Sequence, residues 1–149
     1  MTDLNYDPVN NIGGLYRIRF VPVAGVTPTL ATGTPNFRDG FRFYTAYGTE
    51  STRGYEERQS NSDNGPVWDV TVSAFLPGDS PERRAQLAEM VRHRFIIQCE
   101  DNNGQLRQVG SYEQPLELTY QFVTGKAVAD LRGYALTFRG SLSEAPAIL

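Results

Sequence analysis

The sequence predicts a mainly β protein: an antiparallel β-sandwich or barrel with one packed α-helix at about residues 81–93. Two observations carry that expectation. Several segments alternate apolar and polar residues with period two, as half-buried strands do. One segment alone carries helix-start chemistry followed by apolar residues at helical spacing. Many strands around a single helix fit two packed layers about one core. A length of 149 residues fits one domain, 1–149, with room for a real hydrophobic interior.

Residues 1–13 are polar and read as a flexible N-terminal arm. In "LYRIRF" (15–20), Tyr16, Ile18 and Phe20 point one way while Arg17 and Arg19 point the other, so it reads as a half-buried strand. Prolines and glycines break 21–40 into turns and short edge strands, with no helix. "FRFYTAYGT" (41–49) is aromatic and reads as a strand. Residues 50–66 are almost wholly polar and carry net charge −2, from Glu50, Glu56, Glu57 and Asp63 against Arg53 and Arg58. They read as a long polar loop or an extended hairpin, with Tyr55 the one large apolar side chain.

"VWDVTVSAFL" (67–76) is a strand with Trp68, Val70, Val72 and Ala74 on one face. The helix follows. Ser80 is its N-cap, Pro81 suits the first helical position, and Glu82 suits the positive end. Leu87, Ala88 and Val91 form its apolar stripe, and Arg92, His93 and Arg94 its basic end. "FIIQC" and "QLRQV" are strands joined by "EDNNG". "PLELTYQF" (115–122) aligns Leu116, Leu118, Tyr120 and Phe122, and "GYALTFRG" (133–140) aligns Tyr134, Leu136 and Phe138. The core face therefore comprises Trp68, Val70, Val72, Leu118, Tyr120, Leu136 and Phe138.

"EDNNG" invites comparison with a calcium loop. With Gly104 at the sixth position of an EF-hand, Asp101 and Asn103 fall at positions three and five. Cys99 then stands first and Gly110 last, where a bidentate acid is needed, so the loop fails. Asn103-Gly104 between two apolar strands is a hairpin signal. His93, the only histidine, is accounted for by the helix end. Cys99, the only cysteine, reads as a buried inert thiol, and one Cys with one His supplies no zinc site. Glu56-Glu57 and Glu100-Asp101 are adjacent on strands and point to opposite faces, which makes poor acid/base pairs. No phosphate-binding glycine loop occurs. The reading is of a protein that is not an enzyme, with no catalytic residue, cofactor or metal.

Net charge −3 argues against a protein that grips nucleic acid over its whole surface. No run of residues has the length and apolarity of a membrane span. The N-terminus lacks the apolar stretch of a secretory signal, which gives the expectation of a soluble protein outside the Sec route. Lys126 is the only lysine among 14 basic residues. Arginine, together with eight Tyr and eight Phe, suits protein–protein contact.

Several phrases taken together resemble a family. A strand ending in "FLPG" precedes the short helix; an apolar strand runs into "EDNNG" and then "VG"; "TGKAVAD" leads into "GYALTFRG"; and "GGLYRIRFVPV" opens the fold. This plan, over about three-quarters of the chain, resembles small structural proteins of tailed phages and prophages of Bacteroidetes-type hosts. The resemblance implies a tail tube-like fold and a virion building block, made in the host bacterial cytoplasm. It implies self-assembly into stacked, hexameric rings and contact with other phage tail proteins. It also implies a lumen through which DNA passes without specific binding, and no membrane. Tail terminator, neck and baseplate components use related folds. The alternative from another class is a β-sandwich module that binds a ligand or glycan. Within 50–66, Arg53, Tyr55 and Arg58 are the expected oligomer-interface residues, because Tyr and Arg carry much of the energy at interfaces.

Overall fold

The computed structural model describes residues 1–5, 11–28 and 35–149. Its strands are β1 (Leu15–Pro22), β2 (Tyr44–Ala46), β3 (Gly54–Ser62), β4 (Gly65–Pro77), β5 (Arg94–Asp101), β6 (Leu106–Val109), β7 (Leu116–Val123), β8 (Gly133–Leu142) and β9 (Ala147–Ile148), with helix α1 (Pro81–Met90) between β4 and β5. Every strand pairing is antiparallel. One path of strands runs β2-β1-β5-β7-β8-β4-β3, and β6 and β9 branch from β5.

The branch turns this sheet into two layers. Along one edge β5 pairs with β1. Along the other, Arg94 and Phe95 pair with β7 while Ile97 to Glu100 pair with β6. The sheet folds over at that fork. β2-β1-β5-β6-β9 forms one layer and β7-β8-β4-β3 the other. A single core fills the space between them, drawing Ile18, Phe95, Ile97, Cys99 and Val109 from the first layer and Val70, Val72, Leu116, Leu118, Leu136 and Phe138 from the second. Phe138 packs across the gap against Phe20 at 6.1 Å and edge-on to Phe95 at 5.6 Å between ring centroids. The expected sandwich or barrel with one helix is the observed class.

The continuous apolar run of "FIIQC" has its explanation here. Phe95, Ile97 and Cys99 face the main core, while Ile96 faces a second cluster with Val21 and Val26. Phe37 and Phe43 cover that cluster from the far side, in edge contact at 5.3 Å. The described parts of segment 21–40 thus work as a lid on the outer face of the first layer. They include a 3-10 turn at Val23–Gly25 and a bridge from Val26 to Phe37; 29–34 lie outside the described residues.

The helix starts as the sequence predicts: the Ser80 hydroxyl accepts the Arg83 N–H at 3.1 Å. It ends at Met90, short of the expected 93, because Arg92 and His93 N–H groups bond back three residues in a tightening turn and Arg94 already belongs to β5. Leu87 is buried and Met90 and Val91 are half-buried against the core, whereas Ala88, expected in the stripe, is exposed. Positions i, i+3 and i+4 therefore dock. A pair of interactions at the surface of the core holds the helix start: Tyr134 donates its hydroxyl to the Asp79 carboxylate, and the exposed Arg84 pairs with Asp79 at 2.7 Å.

Four further expectations need correction. Tyr16 is exposed and Leu15 takes the inward place, because the β1–β5 register shifts between Leu15 and Arg17. Such a bulge reverses which side chains face in. Tyr120 is 38% exposed and lies edge-on to Tyr134 at the margin of the core. Trp68 is half-buried, packed on the core's rim. The strand expected at 41–49 shrinks to Tyr44–Ala46, since Phe43 turns into the lid cluster instead of a ladder.

The arm expected at 1–13 lies partly outside the described residues; its inner end, at Ile12 and Gly13, is hydrogen-bonded to the β5–β6 turn.

Candidate interaction surface

Segment 50–66 takes the hairpin form of its two expected forms. β3 pairs with β4 without a break from Gly54↔Ser73 to Ser62↔Gly65, closed by the two-residue loop Asp63-Asn64. Its side chains are too polar to build a core, so the ladder supplied by β4 holds it in place. β4 is fixed in turn by ten residue pairs with β8, from Trp68↔Leu142 to Pro77↔Gly133. From Glu56 to Ser62 every residue of β3 is exposed, and the strand is one end of the sheet path. In a two-residue hairpin the pair flanking the loop is hydrogen-bonded, and bonded pairs then alternate along the ladder. Gly54, Glu56, Arg58, Ser60 and Ser62 thus turn their main-chain groups to β4. Tyr55, Glu57, Gln59 and Asn61 turn theirs outward, to an open edge. That edge is long and has no proline and no bulge; the charges of Glu56, Glu57 and Arg58 are its one usual protection.

The outer face of the second layer continues this surface. Strand register aligns Arg94, Glu117, Arg139, Thr71 and Glu56 in one row across β5, β7, β8, β4 and β3. Ser141, Asp69 and Arg58 form the next row. Together they line an open cleft of about 890 Å³. Arg94 pairs with Glu117 at 3.7 Å, and Asp69 accepts the Ser141 hydroxyl at 2.5 Å. Charges of opposite sign lie side by side, and among the described residues no aromatic lines the cleft. Such a surface suits contact with another polar, mixed-charge surface. The polar half of each strand's alternation was legible in the sequence. The register that aligns the rows was not.

The three expected interface residues do not form one patch. Arg53 is engaged inside the fold: its Nη1 donates to the Tyr16 carbonyl at 2.5 Å, and its own carbonyl accepts the Leu15 N–H at 3.2 Å. It closes the start of β1 against the start of β3. Tyr55 is half-buried on the core, under the Arg107 guanidinium at 4.9 Å, and donates to Glu57 at 2.7 Å. Burial, reinforced by the Glu57 bond, pushes its phenol well above the usual range. Arg58 alone faces outward, in the cleft.

The other candidates fall into structural roles. His93 Nε2 lies 3.4 Å from Glu89 beyond the helix end. Cys99 is buried, and loss of solvation pushes its thiol up to about 11. Among the described residues, no group of three or more His, Cys, Asp or Glu side chains is placed to hold a metal ion. No described helix is long and apolar enough to cross a membrane. "EDNNG" is a three-residue hairpin loop: Gly104 N–H bonds the Asp101 carbonyl at 3.1 Å and Gly104 adopts φ +79°. That is a turn followed by a left-handed residue, a conformation glycine takes without strain. The Asp101 carboxylate accepts the N–H groups of Asn103 at 2.9 Å and Gln105 at 3.0 Å, which occupies it inside the turn.

Compared with known proteins, the chain matches no family model, no curated protein and no solved structure.

Proposed function

We propose that the chain is a structural virion protein of a tailed phage or phage-like particle, and specifically a tail tube subunit that self-assembles into stacked rings. The observation that carries this reading is the pair of open ends, β2 and β3, on one continuous antiparallel sheet. The two edges differ, and unlike edges can join head to tail; a head-to-tail contact closes into a ring when its rotation closes. The nine-residue outer edge of β3 offers main-chain groups for strand addition. The mixed-charge cleft gives a neighbouring copy a polar surface to register against. The net charge of −3 suits a channel through which DNA slides without adhering. Tail terminator, neck and baseplate positions share this logic of assembly and differ in which ring the subunit joins.

The cleft of about 890 Å³ favours a second reading, a ligand-binding β-sandwich. A glycan site normally offers aromatic faces, and among the described residues none lines this cleft. Light scattering with negative-stain microscopy on the purified chain separates the two. Rings or tubes support the virion reading. A monomer at every concentration, with melting shifted by small ligands, supports the other.

A further inference from the structure

The turn at 102–104 does more than reverse the chain. The Asn103 carboxamide forms a reciprocal pair with the main chain of Ile12: it accepts the Ile12 N–H at 3.1 Å and donates to the Ile12 carbonyl at 2.9 Å. Asn102 adds two bonds, its side chain to the Gly13 carbonyl at 2.7 Å and its N–H to the Gly14 carbonyl at 3.3 Å. Two asparagines thus read the backbone of the N-terminal segment as a neighbouring strand would. Gly14, at φ +88°, has the Asn102 amide 3.0 Å from where a Cβ would stand, so glycine admits this approach.

Asn103 precedes Gly104, and both are exposed. We propose that Asn103-Gly104 is a self-modification site, and that its conversion is a one-way release of the N-terminal segment. The chemistry needs only water. The Gly104 amide nitrogen attacks the Asn103 side-chain carbonyl carbon and loses its proton to solvent. The carboxamide NH2 takes up one proton from solvent and leaves as ammonia, and a five-membered imide closes. Water then opens the imide at either carbonyl, leaving an aspartyl or isoaspartyl residue at position 103. Gly104 has no side chain to hinder the attack, and nothing lies within 4 Å of its would-be Cβ.

Docking of the segment restrains the reaction. While Ile12 is bound, both nitrogen and oxygen of the carboxamide are committed to it, and the attacking Gly104 N–H is held on the Asp101 carbonyl. Each departure of Ile12 frees the side chain to cyclise. After conversion the donor to the Ile12 carbonyl is gone and a carboxylate oxygen replaces it, facing a carbonyl oxygen. The isoaspartyl form also lengthens the main chain by one carbon and displaces the group altogether. Re-docking then fails.

The full chain carries its own control. Asn64, exposed, and Gly65, half-buried, sit at the tip of the β3–β4 hairpin, with no hydrogen bond to Ile12, Gly13 or Gly14 among the described residues. Trypsin separates the two sites, in Phe95–Arg107 and Gln59–Arg83. The full-length protein is incubated in mildly alkaline buffer, and deamidation of each peptide is followed by mass spectrometry. Ile12→Pro, which removes the N–H that Asn103 accepts, is run beside it. Asn103 is expected to convert more slowly than Asn64 in the native sequence, and several-fold faster in Ile12→Pro with the Asn64 rate unchanged. Hydrogen exchange at the Ile12 amide is expected to be fast in converted native-sequence molecules and slow in unconverted ones. Equal Asn103 rates in the two proteins, no conversion at Asn103 while Asn64 converts, or unchanged Ile12 exchange after conversion would each overturn the proposal.

Discussion

β5 and β3 are strands of nearly equal length with opposite sources of order. β5, "RFIIQCED", is paired along both edges and buries Phe95 to Cys99 on both faces, against the core on one side and the Val21–Val26 cluster on the other. β3, "GYEERQSNS", is paired along one edge and exposes everything from Glu56 onward. Burial of apolar surface makes β5 a strand; the ladder of β4 makes β3 one. A strand held by its own apolar contacts tolerates no loss of them. A strand held by a neighbour's ladder tolerates side-chain change but keeps an edge available to a partner.

The largest expected effect therefore falls on β5. Phe95→Ala removes a ring that touches both Phe20 and Phe138 and should cost about 3–5 kcal/mol in denaturant unfolding. A cost under about 1 kcal/mol would mean that the site collapses without loss, contrary to a close-packed centre. Trp68, at the rim opposite Gln59, should lose less, about 1–3 kcal/mol on truncation to Ala. If Trp68→Ala cost as much as Phe95→Ala, the two-region contrast would fail at its boundary.

A smaller and pH-specific effect is expected at Asp79, which ties β8 to the helix start. The bond from Tyr134, and then Arg84, holds its carboxyl below the usual carboxylate range. A group whose folded pKa is depressed contributes stability above its unfolded value and loses it as pH falls through the folded one. The unfolded value is about 3.9, so the loss belongs to the acid limb below about pH 4. Asp79→Asn should flatten that limb in a stability-versus-pH series. An acid limb identical to the native sequence's would show that Asp79 is not linked. The smallest effects are expected on β3, where Arg58→Ala should shift unfolding by no more than about 0.5 kcal/mol. A larger shift would mean that the side chains of β3, and not only its main chain, hold it in the monomer.

The same contrast explains what the sequence could and could not reveal. Alternation in "VWDVTV" and "LTFRG" identified the inward faces of β4 and β8 because each strand buries one face only. Ser80, Pro81 and Glu82 marked the helix start because capping is local chemistry. The bulge after Leu15 was invisible: nothing in "GGLYRIRF" announces an extra residue, and the register slip moved Leu15 in and Tyr16 out. β3 was ambiguous for the reason given above, since its order is stored in β4. The rows Arg94–Glu117–Arg139 and Asp69–Arg58 depend on long-range register, which no single segment carries. Arg53 and Tyr55 looked like free anchors because the partners that occupy them, Tyr16 and Arg107, are distant in sequence.

The central claim is that the outer edge of β3 is where copies join, and Gln59→Pro tests it most directly. Hairpin parity points the Gln59 N–H away from β4, so proline there removes no ladder bond within the subunit, only the exposed side-chain bonds from Gln59 Nε2 to the Ser60 carbonyl and Asn61 Oδ1, while it blocks an added strand. The measurement is mass by light scattering, with microscopy of the same samples, on the native sequence and Gln59→Pro at matched concentrations. The account predicts rings or tubes for the native chain and a folded monomer, within about 1 kcal/mol of native stability, for the variant. A native chain that stays monomeric, or a Gln59→Pro variant that assembles equally well, would contradict it.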